Sequence, residues 1–251
     1  MRRTGTDEIG GSETAIAGTV SEAYDPVHEP LLANPYPFFG RARAEAPVFH
    51  APEIDQWVIS RYDDVKAVLL DTDTFSASNT IRIAFLTAGH ETTSSLIGNA
   101  ARRLLEQRGI WEQLCVDPSL ISGAVEEVLR FDGPVVSWRR RAKRDVEIAG
   151  VAIPSGAQLL LLLGSANRDD IVFDDADRLD IRRANATAHL SFGHGVHFCL
   201  GAALARLEAR VVFEILTARL PSLRLAAGQQ IRFVPNTSFR GPLALEAEWD
   251  V

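Results

Sequence analysis

The sequence predicts a mainly α fold with a small β part, built as one domain, on three observations. Apolar residues recur at helical spacing over two long stretches, Ile81 to Gln107 and Ala202 to Leu220. Short apolar runs bounded by turn residues, at Gln56 to Ser60 and between Val146 and Leu163, read as strands. The 251 residues, 46% hydrophobic and 24% charged, have the make-up of a soluble globular chain that buries a sizeable core.

Taken in order, residues 1–20 are rich in Gly, Ser and Thr without periodicity and are expected to form a disordered tail, leaving 21–251 as a single domain. Pro30, Pro35 and Pro37 punctuate the entry to a short helix near Phe38 to Ala46. After the strand Gln56 to Ser60, a helix is predicted over Tyr62 to Leu70, with Val65, Val68 and Leu69 on one side. The long helical pattern from Ile81 contains Gly89, which costs about 1 kcal/mol relative to Ala and so needs a reason. A further helix runs from about Ser119 to Phe131 and is stopped by Gly133-Pro134. Val146 to Ile153 alternates around Gly150, and Pro154-Ser155-Gly156 turns into a strand from Gln158 to Leu163, a hairpin signature. Asp169 to Ala188 reads as a charge-rich loop. A glycine-rich loop, Phe192 to Gly201, leads into the last helix, whose Leu204, Leu207, Val211, Ile215 and Leu216 share a face.

Composition excludes several function classes. A formal net charge of −7 argues against general nucleic-acid binding and against an anionic membrane surface. Two cysteines, Cys115 and Cys199, are too few for a disulfide framework and fit a reducing compartment. No stretch approaches the ~20 apolar residues that span a bilayer, and the start MRRTGTDEIGGSETA lacks the apolar segment of a secretory signal. A cytoplasmic protein is expected.

Cys199 is the sharpest chemical feature. It stands just before a long helix, whose N-terminus offers free N–H groups and the positive end of the dipole to a thiolate. Gly193, Gly195 and Gly201 let the backbone turn close to the sulfur. Such a loop suits a sulfur bound to iron. Two other readings stand beside it. A lone cysteine is commonly a small buried hydrophobe, and His194, His197 and Cys199 together could contribute to a zinc site, although zinc wants a fourth ligand and paired spacings.

The pattern Phe192-x-x-Gly195-x-x-x-Cys199-x-Gly201 resembles the haem-binding loop of the cytochrome P-450 family. Ala88-Gly89-His90-Glu91-Thr92-Thr93 looks like that family's oxygen-activating helix segment, and Glu127-Val128-Leu129-Arg130 looks like its Glu-x-x-Arg helix. Ala176-Asp177-Arg178-Leu179 is similar to the segment that completes the Glu/Arg/Arg network. Ala166-Asn167-Arg168-Asp169 and His189-Leu190 match bacterial, soluble members. The motifs come in the family's order from about Pro30 onward.

The resemblance implies a cytochrome P-450-like fold, with haem (iron protoporphyrin IX) as cofactor and Cys199 as the ligand of its iron. Phe192, Gly195, His197 and Gly201 would form the haem loop, with Ala88 and Gly89 on the opposite side in a locally opened helix groove. Arg140, within the basic run Arg139 to Arg144, and His197 match partners of the haem propionates, charge-assisted bonds in Arg140's case. Glu91 and Thr92 would relay protons. Glu127, Arg130 and Arg178 would brace the loop from beneath, and Val135 to Trp138 would line the substrate side. The bland readings of these residues are a solvated Glu-Thr-Thr edge, a surface i,i+3 ion pair and ordinary core packing.

The chain departs from the family in length. Family-like sequence runs to Phe75-Ser76 and resumes at about Ile83, with a seam near 77–82, so the distal helical block over the pocket is missing. An open distal face admits water and leaves apolar side chains such as Phe85 and Leu86 exposed, which a homo-oligomer could cover. Two functions follow. One is a haem-thiolate monooxygenase that inserts one oxygen atom of dioxygen into a small apolar molecule, fed by a ferredoxin-type electron donor docking near Arg206 and Arg210. The other is a non-catalytic remnant or repurposed scaffold with weak haem binding or none.

Overall fold

The computed structural model describes residues 18–78 and 89–250. In chain order the helices are α1 (Tyr36–Glu45), α2 (Tyr62–Leu70), α3 (Glu91–Glu106), α4 (Arg108–Val116), α5 (Ile121–Asp132), the single turn α6 (Leu163–Ala166) and α7 (Ala202–Arg219). The strands are β1 (Val48–Ala51), β2 (Gln56–Ile59), β3 (Phe75–Ser76), β4 (Trp138–Ala142), β5 (Val146–Ile148), β6 (Val151–Ile153), β7 (Gln158–Leu161), β8 (Arg224–Leu225) and β9 (Ala247–Glu248). The class is as expected, mainly α with a small β part.

Five strands form one sheet in the order β1-β2-β7-β4-β3, with β2 and β7 parallel and the other pairs antiparallel. Leucines 159 to 162 run unbroken because this central segment is covered on both faces. Leu159 and Leu161 join a core with α2 and Phe173, while Leu160 and Leu162 join one with α1. A third core unites Leu96 and Leu104 of α3, Trp111 of α4, Leu129 of α5 and Phe213 of α7. The candidate site lies where this helical core meets the sheet.

Several expectations shift. Helix α1 starts two residues before Phe38, since proline is tolerated in a first turn. Helix α4 was not anticipated; the chain breaks direction at Gln107 (φ −115°, ψ 82°) and starts a short amphipathic helix that buries Trp111 and Leu114. The hairpin pairs β5 with β6, whereas β7 joins the large sheet and ends at Leu161, where α6 takes over. Of the long helix expected from Ile81, residues 81–88 lie outside the described residues, as do Phe85 and Leu86 and most of the expected seam; Gly89 and His90 form a turn, and helix begins at Glu91. Residues 1–17 of the expected tail also lie outside; Val20 is buried against Tyr24.

The largest correction concerns α7. The face it buries carries Ala202, Ala209, Phe213 and Thr217, small residues that admit a close neighbour beside one aromatic anchor. Leu204, Leu207, Val211 and Ile215 face outward, between 39% and 58% exposed, and only Leu216 of the expected stripe packs on the helical core. A helix apolar on two sides has the pattern of an element buried all round; here one side lacks its cover. Among the described residues no helix is long and apolar enough to cross a membrane.

Candidate functional site

A cavity of about 280 Å³ opens between α3, β4 and the loop before α7. Its floor is the glycine-rich loop. Gly193 and Gly195 take φ of +72° and +73°, a conformation side-chain-bearing residues rarely adopt. At Gly195 the space is tight besides: a Cβ would stand 3.3 Å from the Leu70 side chain and 3.5 Å from the Leu69 carbonyl of α2. The loop is closed on itself by Cys199 N–H donating to the Phe192 carbonyl at 2.9 Å and by Phe198 N–H donating to Gly195 at 3.0 Å. It is held from below by Asn167, whose Oδ1 accepts the Leu190 N–H at 2.7 Å and whose Nδ2 donates to Ser191 Oγ at 2.8 Å. Cys199 is exposed and lines the cavity two residues before Gly201, the residue capping α7. Cys115, by contrast, lies on α4 with its thiol pushed up by burial.

Phe192, His197, Cys199 and Gly201 all line the cavity, and so do Gly89 and Thr92 on the opposite side. Gly195 shapes the loop from behind. Glu91 is exposed in the first turn of α3, beside rather than in the cavity wall. Ala88 lies outside the described residues. Val135 and Trp138 face the cavity, whereas Ser137 is fully buried and donates to the Thr237 carbonyl, so only part of the expected Val135 to Trp138 wall serves as one.

Arg140 carries the most telling charge. Its residue is 4% exposed, it lines the cavity, and its Nη1 donates to the Arg139 carbonyl at 2.9 Å. Its Nε is buried without any partner, alone in that respect among the described residues lining the cavity. Burial pushes its pKa down. A buried, unpaired guanidinium is costly unless an anion meets it. An apolar cavity with a thiol in its floor and an unmatched cation in its wall fits a planar apolar cofactor that carries carboxylates, which is what haem is. The zinc reading finds no support in the side chains: among the described residues no group of three or more His, Cys, Asp and Glu is placed to hold a metal ion.

Beneath the loop, Glu127 and Arg130 form a fully buried pair at 2.7 Å, and Arg130 also donates to the carbonyls of Asn167, Ala176 and Arg178. Here the expectation for Arg178 fails. Its side chain is 62% exposed and pairs with Asp175 and Asp180; only its carbonyl reaches the brace. Arg183 takes its place, with Nε 3.2 Å from Glu127 Oε1 and a side chain 7% exposed. The loop doubles back at Asp180, whose own N–H donates to Glu127, and that reversal brings the later arginine inward. Arg206, expected to greet a docking partner, is instead paired with Glu126, while Arg210 is half-exposed beside Glu214. Sequence reasoning gave Asn167 no role; its place in a matched motif directly before Arg168 was the available signal.

Residues 107–221 match the family model described as Cytochrome P450. The chain is 46% identical over 172 residues to cytochrome P450 107B1 of Saccharopolyspora erythraea, covering 66% of this chain and 42% of that one. It is 47% identical over 175 residues to the vitamin D(3) 25-hydroxylase of Pseudonocardia autotrophica, covering 68% and 43%. It thus spans less than half the length of these curated relatives. Among solved structures, the P450 heme domain of Tepidiphilus thermophilus superposes with a TM-score of 0.87 at 26% identity, the match covering 92% of this chain and 97% of that one.

Proposed function

The chain belongs to the cytochrome P450 family, whose cofactor is haem, and from that premise we propose that it is a haem-thiolate monooxygenase acting on a small apolar molecule. The observation that carries this reading is the pairing, across one cavity, of the Cys199 thiol with the unmatched guanidinium of Arg140. In this reading Cys199 holds the iron, and Arg140 and His197 hold the propionates. Haem so bound supplies the activation of dioxygen and the transfer of one oxygen atom to substrate. The chain's own residues do the rest. Leu96, Val135, Trp138 and Phe239 offer an apolar wall that orients substrate and excludes water. Thr92 stands at the wall to hold a proton on its hydroxyl, with Glu91 at the solvent edge to replenish it. Electrons come from a ferredoxin-type donor, and a homo-oligomer in the cytoplasm is part of the same proposal.

A second reading, a scaffold that binds haem weakly or not at all, is favoured by one observation: the chain spans less than half the length of the curated relatives it matches. The test is to load the chain with haemin, supply a ferredoxin and its reductase, and follow labelled oxygen from dioxygen into apolar candidate substrates. Incorporation that needs Cys199 supports the monooxygenase. Weak, substoichiometric haem or none supports the scaffold, and stoichiometric haem without incorporation overturns the monooxygenase.

A further inference from the structure

Three side chains beside the cavity have no part in the chemistry above. Glu126 neighbours Glu127 on α5, about 100° round the helix. Its carboxylate accepts two bonds from Arg206 of α7, Nε to Oε1 at 2.5 Å and Nη2 to Oε2 at 3.0 Å. Its Oε2 also lies 3.2 Å from His189 Nε2. Since His189 Nδ1 accepts the Ser191 N–H at 3.2 Å, the ring proton sits on Nε2 and is donated to Glu126. The His189 side chain is 1% exposed and that of Glu126 14%. Phe192 is gripped between the two arms: the Arg206 guanidinium stands 4.5 Å from its ring centroid and the His189 ring 5.7 Å away. The Phe192 carbonyl is the one that accepts the Cys199 N–H.

His189 therefore anchors the chain entering the exposed loop, and Arg206 anchors it soon after it leaves. Both anchors meet on one carboxylate of a helix that belongs to the buried brace. We propose that Glu126 is a positioning residue for Cys199: by clamping His189 and Arg206 it fixes the span of the loop and so the place of the sulfur in the cavity. The consequence for haem rests on the function proposed above; the clamp itself does not.

The test is native-state hydrogen exchange on the full chain without haem, comparing wild type with Glu126→Gln. Loss of the charge weakens charge-assisted bonds at both ends of the loop. Amides of 190–203 should then exchange about tenfold faster or more, while those of β2 and β7 keep their rates. Arg206→Gln, a change at a partly exposed position, should loosen the same peptides and serves where Glu126→Gln does not fold. Loop amides at wild-type rates in either folded variant, or equal acceleration throughout the sheet, would overturn the proposal. If wild type takes up haem, Glu126→Gln should show a smaller thiolate-type fraction in its ferrous carbon monoxide spectrum at unchanged haem stoichiometry, and identical spectra would count against the clamp. If wild type takes up no haem, the function proposed above fails, and the exchange experiment still decides the clamp.

Discussion

The two sides of the Cys199 loop are built differently. Below it, charge is buried and matched: Glu127 with Arg130 and Arg183, Asp132 with Arg103 and Arg240, Glu126 with His189 and Arg206. Beside and above it, Arg140 is buried without an acid, the loop from Gly195 to Gly201 is bare, and the Leu204, Leu207, Val211, Ile215 face of α7 meets solvent. The charges named below the loop are matched within this chain, whereas the Arg140 Nε beside the cavity is not. The brace, the loop and α7 all come from residues 121–219, within the stretch from 107 to 221 that matches the family.

The contrast can be broken most forcefully from below. Arg130→Ala leaves Glu127 with one cation in a fully buried place and should cost about 3–5 kcal/mol, read from urea unfolding, or prevent folding altogether. Acid should act on the same side. In Glu126 burial would raise the carboxyl, but His189 and Arg206 outweigh it and hold it at about 2; in Asp132 burial is outweighed by Arg103 and Arg240, and its pKa is lowered further. A carboxyl lowered on folding contributes stability above its unfolded value, near 4.5 for Glu126, that disappears as pH falls through the folded one. The urea midpoint should thus be insensitive to these groups above about pH 5 and fall steadily below about 4.5, and Asp132→Asn should flatten part of that fall in any variant that folds.

The assignment of the third brace residue sharpens the picture. Arg183→Ala should cost about 1–3 kcal/mol because a buried carboxylate loses a partner. Arg178→Ala should stay within about 0.5 kcal/mol, as an exposed ion pair does. The reverse order would restore Arg178 to the network. On the other side, Arg140→Leu removes an unmatched buried charge and should leave the haem-free chain as stable or roughly 1 kcal/mol more stable, while weakening haemin uptake in a titration. Smallest of all, Leu207→Gln on the bare face of α7 should change stability by less than about 0.5 kcal/mol, yet reduce self-association in sedimentation.

The parts legible in the sequence were those fixed by local spacing. Glu127 and Arg130 had to share a face at i,i+3, and the glycines around Cys199 announced a tight turn before a helix. Spacing could not choose between Arg178 and Arg183, because both lie in an irregular loop and only its reversal at Asp180 decides which arginine points inward. Nor could it choose the buried face of α7, since that helix is apolar on two sides and Phe213 with three small residues outweighs the longer leucine stripe. Arg140 was legible through a resemblance, but its solitude was not: the want of a partner for its buried Nε is a property of packing. The Glu126 clamp joins residues 63 and 80 positions apart, beyond any local pattern.

The most direct test of the central claim is the ferrous carbon monoxide difference spectrum of the purified chain reconstituted with haemin, recorded for wild type and for Cys199→Ala. A stoichiometric complex with a thiolate-type Soret band that vanishes in the variant is the predicted result. A chain that takes up no stoichiometric haem, or a spectrum indifferent to Cys199, would contradict it.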